Sequence, residues 1–87
     1  MKTKITTRTL QSIVPGPKAY DIRDTELPGF LIRVPPSGHL GYFCDFRRID
    51  GRRTRIKIAD TKILTPVQAR DEALKILGDF ARGQDPT

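Results

Sequence analysis

Tyr42-Phe43-Cys44-Asp45-Phe46-Arg47-Arg48-Ile49-Asp50-Gly51-Arg52-Arg53-Thr54-Arg55-Ile56-Lys57-Ile58 consists of two alternating runs joined at an Asp-Gly turn signal. Alternation with period two reads as half-buried strand, so the stretch is a β-hairpin, and its register decides where the charges point. A two-residue Asp50-Gly51 turn pairs Ile49 with Arg52 and puts Tyr42, Cys44 and Phe46 on the face that carries Arg53, Arg55 and Lys57. A three-residue loop, Ile49-Asp50-Gly51, with Gly51 in the left-handed conformation of a glycine bulge, pairs Arg48 with Arg52 instead. Tyr42, Cys44 and Phe46 then meet Ile58, Ile56 and Thr54 on one face, while Phe43, Asp45 and Arg47 meet Lys57, Arg55 and Arg53 on the other. A one-residue slip inverts every side chain, so the register that separates core from charge is the expected one.

Upstream, Tyr20-Asp21-Ile22-Arg23-Asp24 alternates, Leu27-Pro28-Gly29 turns, and Phe30-Leu31-Ile32-Arg33-Val34 alternates again before Pro35-Pro36-Ser37-Gly38 breaks the run. In the 1–18 segment, Thr6 between Ile5 and Leu10 fits an N-cap with a hydrophobic staple, predicting a short helix through about Ile13 that Val14-Pro15-Gly16-Pro17 ends. Downstream, Thr65-Pro66-Val67-Gln68 reads as N-cap, first-turn proline and capping-box glutamine. With Gly83 as the stop, this predicts a helix over 65–83 including its caps, and 84–87 begin a linker. Val67, Ala69, Ala73, Leu74, Ile76, Leu77, Phe80 and Ala81 share one half of the helical wheel. Arg70 falls among them, so its guanidinium needs a partner, expected to be an acid of the 21–26 segment.

These elements assemble into an α+β domain, with the sheet over 19–59. Three antiparallel strands plus a short first strand pack one face against the C-terminal helix. The other face carries Leu31, Arg33, Phe43, Asp45, Arg47, Arg53, Arg55 and Lys57. An Asp45–Arg55 pair across the strands stabilises by only about 0.2–1 kcal/mol, and its better use is to hold Arg55 in position.

At 87 residues the chain is one domain with a thin core, and its net charge is +6. Arg47, Arg48, Arg52, Arg53, Arg55 and Lys57 set six basic residues against one acid, Asp50, within eleven positions. Regularly spaced phosphates suit such a stripe, because each neutralised phosphate releases a condensed counterion. Nucleic acid is the expected partner, read by a sheet face with an aromatic among its arginines. No apolar run approaches the roughly 20 residues of a membrane span, which points to a cytoplasmic protein. The single Cys44 reads as a buried core thiol, His39 as a solvated loop residue, and Tyr20 and Tyr42 as core-facing. No phosphate-cradling glycine loop, metal-ligand spacing or acid–base pair is present, so no catalytic residue, metal, cofactor or small-molecule substrate is expected.

An ordered set of motifs adds to this reading. Asp24-Thr25-Glu26-Leu27-Pro28-Gly29-Phe30, Arg33-Val34, Ser37-Gly38, Asp50-Gly51-Arg52-Arg53, the 65–70 helix start and Gly83-Gln84-Asp85-Pro86 resemble the N-terminal arm-type DNA-binding domain of phage-type integrases, which are tyrosine recombinases. The resemblance runs from about Ile5 to Pro86. It departs at Asp45, where the family often has a basic or polar residue, and at a hairpin turn one residue longer than the commonest. It implies a module of a longer recombinase that binds arm-type sites in double-stranded DNA through the major groove, alongside other integrase protomers. Catalysis would reside elsewhere in that recombinase. Carried over by position, the contacts it implies are Arg33, Arg47, Arg53, Arg55 and Lys57; Arg48 and Arg52 from the basic stripe and Phe43, the aromatic of the sheet face, complete the candidate set. Two alternatives share these elements: a double-stranded RNA reader, and a protein-interaction module anchored by Leu31 and Phe43.

Overall fold

The structure, a computed structural model, describes residues 2–48 and 50–81, without the side chains of Phe80 and Ala81. The hairpin takes the three-residue loop. Gly51 sits at φ 88°, and Arg48 N–H donates to Arg52 O at 2.7 Å, closing the pair that this loop length requires. From there the register runs Arg47↔Arg53, Phe46↔Thr54, Asp45↔Arg55, Cys44↔Ile56 and Phe43↔Lys57. It shifts between Tyr42 and Phe43, so Tyr42 pairs with Ala59 rather than with Ile58 as alternation alone predicts. This irregularity inserts a residue and bends the strand, and Ile58 still packs against the core.

In chain order the elements are β1 (Lys2–Thr3), α1 (Thr7–Ser12), β2 (Tyr20–Asp24), β3 (Phe30–Val34), β4 (Gly41–Arg47), β5 (Arg53–Asp60) and α2 (Pro66–Ala81). The sheet order is β1-β2-β3-β4-β5. The four long strands are antiparallel neighbours; β1 adds a parallel edge to β2, with Lys2 opposite Arg23 and Thr3 opposite Asp24. The sheet is therefore mixed and five-stranded, one strand more than the sequence reading gives. Two residues carry no periodicity that would reveal β1.

Both helices lie on the inner face. The α1 N-terminus is closed by a reciprocal Thr6–Thr9 capping box, and Leu10 and Ile13 pack on the core. Helix α2 starts as its sequence requires, with Thr65 N–H donating to Gln68 Oε1 at 3.0 Å and Gln68 N–H to Thr65 Oγ1 at 3.3 Å. Ala69 and Ala73 meet the sheet, where small side chains let the helix approach Ile5, Ile22, Phe30, Ile32, Val34, Tyr42 and Cys44. Val67 and Leu74 are 66% and 52% exposed, against the apolar-half expectation. The buried stripe is centred on the two alanines, and at about 100° per residue Val67 lies roughly 140° and Leu74 roughly 120° from that centre. The expected Gly83 stop, Arg82 and the 84–87 linker lie outside the described residues.

Asp24 ties the pieces together. Its side chain is fully buried and accepts Ile5 N–H at 2.9 Å, Leu27 N–H at 2.9 Å and the Arg70 guanidinium at 3.3–3.4 Å. Arg70 Nη2 also donates to Ile5 O at 2.7 Å, and its guanidinium lies 5.8 Å from the Phe30 ring centroid. Arg70 is thus the structural tie expected from its place on the wheel, and it holds α2 to the N-terminal segment and to the end of β2. Burial opposes ionisation of Asp24, but the Ile5, Arg70 and Leu27 bonds outweigh it and hold the carboxyl below its ordinary pKa.

Candidate nucleic-acid interface

Alternation along each strand fixes what the outer face presents. Asp21 and Arg23 come from β2, Leu31 and Arg33 from β3, Phe43, Asp45 and Arg47 from β4, and Arg53, Arg55 and Lys57 from β5. Six of the eight residues singled out in the sequence, Arg33, Phe43, Arg47, Arg53, Arg55 and Lys57, thus share one face. Arg48 and Arg52 do not. They close the hairpin end on the helix side, where Arg48 Nε donates to Thr54 Oγ1 at 2.8 Å and Arg52 reaches Asp50 at 3.8 Å.

An ion-pair array spans the centre of this face. Arg55 meets Asp45 fork to fork, Nε to Oδ1 at 2.6 Å and Nη2 to Oδ2 at 2.8 Å, and its Nη2 also reaches Asp21 Oδ2 at 3.0 Å. Asp21 Oδ1 takes Arg33 Nη1 at 2.9 Å, and Asp45 Oδ2 takes Arg23 Nη2 at 3.0 Å. The Arg55 bonds, together with the Arg23 bond, outweigh desolvation at Asp45 and depress its pKa. At Asp21 burial raises the pKa, but the Arg33 and Arg55 bonds prevail and lower it. Arg55 is raised chiefly by its Asp45 bond, so Arg55, Asp45 and Asp21 are all charged throughout the neutral range.

Leu31 shares this outer face. It is 0% exposed, although it stands outside the inner-face core cluster. Alternation points it outward, as the sequence predicts, with Arg23 and Phe43 opposite it on the neighbouring strands, but its full burial leaves it no surface to offer as an anchor in the protein-interaction alternative. Phe43 is half-buried and leans over Gly41, where a Cβ would stand 3.0 Å from its ring.

Toward the hairpin end the acids run out. Arg47 and Arg53 face each other directly, and among the described residues neither has an acidic partner. Like charges in that position repel, and an anion between them relieves the repulsion. A hollow of about 200 Å³ beside them is lined by Arg23, Gly29, Asp45, Phe46, Arg47 and Arg53. At the opposite end Lys57 is exposed and pairs with Asp60 at 2.8 Å.

A family model described as an arm DNA-binding domain matches residues 2–87. The chain belongs to the arm DNA-binding domain family. A search of curated proteins returns no match. Arm domains of this kind are the DNA-binding parts of phage integrases, so DNA is the ligand class of the chain.

Within this arm domain, Asp21 and Arg23 are the outer-face residues that sequence reasoning missed. The signal was available: with Ile22 inward, its neighbours on an alternating strand must point outward beside Arg33. Tyr20 and Tyr42 are occupied structurally, their hydroxyls donating to Val14 O at 2.8 Å and Leu64 O at 3.0 Å. Cys44 is buried, and burial, then the Asp45 charge, pushes its thiol up to about 12. His39 is exposed on the loop before β4.

Proposed function

We propose that this arm domain binds arm-type sites in double-stranded DNA by laying the outer faces of β3, β4 and β5 into the major groove, as one module of a tyrosine recombinase that integrates and excises a mobile element. The observation that carries this reading is the grouping of Arg33, Phe43, Arg47, Arg53, Arg55 and Lys57 on the sheet face opposite both helices. Three strands at roughly 4.8 Å spacing are about 10 Å across, against a groove about 12 Å wide. Arginines on that face can donate to guanine O6 and N7 while others meet phosphates. Strand exchange belongs to a catalytic part of the parent recombinase, and other protomers would join the assembly on DNA. Among the described residues no helix is long and apolar enough to cross a membrane, which fits a cytoplasmic partner of DNA.

Burial of Leu31 removes one of the two anchors that a protein-interaction module would use, and so favours the nucleic-acid reading. Fluorescence anisotropy with labelled duplex DNA, and with duplex RNA of matched sequence, tests it across a salt series. Preference for DNA, with log K falling against log salt at a slope of about −3.6 for four neutralised phosphates, is the expected result. Preference for RNA, or binding that ignores salt, would overturn it.

A further inference from the structure

We propose that Asp21 and Asp45 are positioning residues that set the sequence preference of the arm domain: they hold Arg55, and through Asp21 also Arg33, in one orientation for base reading. The inference rests on the sheet-face reading above and adds a division of labour to it. The centre of the face selects sequence, and the hairpin end supplies affinity.

Two acids in the middle of a phosphate-binding surface work against affinity, since each cancels a charge that would otherwise release a counterion. Three arginines share these two carboxylates, so the centre is only weakly positive. What the acids supply is fixed geometry. Arg55 is held by Asp45 from β4 and Asp21 from β2, and Asp21 bonds Arg33 of β3, so the array links all four antiparallel strands. A guanidinium bound in this way has lost its rotamer freedom before DNA arrives. The Arg55 bonds use Nε and Nη2 and Nη1 takes part in none of them, so Nη1 is the nitrogen that would donate to a guanine acceptor, O6 or N7, while Asp45 holds the other edge. Arg47 and Arg53 show the opposite design, opposed across the strands with no acid between them, as a phosphate seat requires.

The test is to select duplexes from a randomised pool with the 87-residue chain. Dissociation constants for the selected and a scrambled duplex are then compared for wild type, Asp45→Asn, Asp45→Glu and Arg55→Lys. Asp45→Asn is expected to bind the scrambled duplex several-fold more tightly and to lose roughly ten-fold of the selected-to-scrambled ratio, concentrated at one or two base pairs. Asp45→Glu should keep more of the ratio than Asp45→Asn. Arg55→Lys, which retains the charge but not the fork, should lose discrimination at the same base pairs. Discrimination unchanged in Asp45→Asn or in Arg55→Lys would overturn the inference, as would a parallel fall on both duplexes. A wild-type chain that binds no duplex would overturn the sheet-face reading and this inference together, whereas selectivity that survives Asp45→Asn overturns this inference alone.

Discussion

Gly29 and Gly51 both hold positive φ, 95° and 88°, yet a methyl group at the two sites meets different surroundings. At Gly51 nothing lies within 4 Å of an added Cβ, so Gly51→Ala carries only the left-handed strain of about 1–2 kcal/mol. At Gly29 the Cβ would stand 2.7 Å from Asp45 O, a backbone atom of the strand whose N–H donates to Gly29 O at 2.7 Å. Gly29→Ala should therefore cost about 3 kcal/mol or more, strain and overpacking together, and urea unfolding of the two variants checks the order. Asp24 is the other sensitive residue. Asp24→Asn leaves the Arg70 guanidinium without its carboxylate in a buried setting and should destabilise by about 3 kcal/mol, read from the same urea midpoint. That is a large share of the roughly 4–13 kcal/mol available to a domain of this length.

Among the elements, the β4–β5 hairpin was the most legible, because of the two turns only the three-residue loop separates Cys44 and Phe46 from Arg53, Arg55 and Lys57. A left-handed Gly51 makes that loop, so local turn chemistry and long-range burial agree on one register. The β2 and β3 bounds were legible from alternation and the Pro-Gly turn. Helix α2 was legible in its start but not in its rotation: half a wheel is apolar, and choosing the alanine stripe over Val67 and Leu74 depends on how closely the helix approaches the sheet. The outward direction of Leu31 was legible from alternation but its burial was not, because burial depends on how the side chains of adjacent strands pack around it. If the hairpin end seats phosphates, Arg47→Ala and Arg53→Ala should each lower the magnitude of the salt slope by about 0.9. Lys75→Ala, on the solvent side of α2 and paired with Glu72, should leave it unchanged. Anisotropy titrations between low and physiological salt measure both.

For the whole molecule, acid is the expected weakness. Asp21, Asp24 and Asp45 all have folded pKa values below the ordinary carboxylate value, so the folded state binds fewer protons than the unfolded chain. Their stabilisation is fully present above the unfolded pKa of about 3.9 and is lost as pH falls through the depressed folded values. Thermal midpoints should be insensitive to these three groups from neutrality to about pH 5 and should fall below about pH 4. Asp24→Asn should show a shallower acid limb than wild type. At this scale the proposed reading gives the two faces of the sheet separate tasks, the inner one building the core and the outer one meeting DNA. An amide chemical-shift titration of the labelled chain with a selected DNA duplex tests that claim most directly. The account predicts perturbations at Arg33, Phe43, Arg47, Arg53, Arg55 and Lys57, and little change at Val67, Leu74 and Lys75. Perturbations centred on the exposed side of α2, or none at physiological salt, would contradict it.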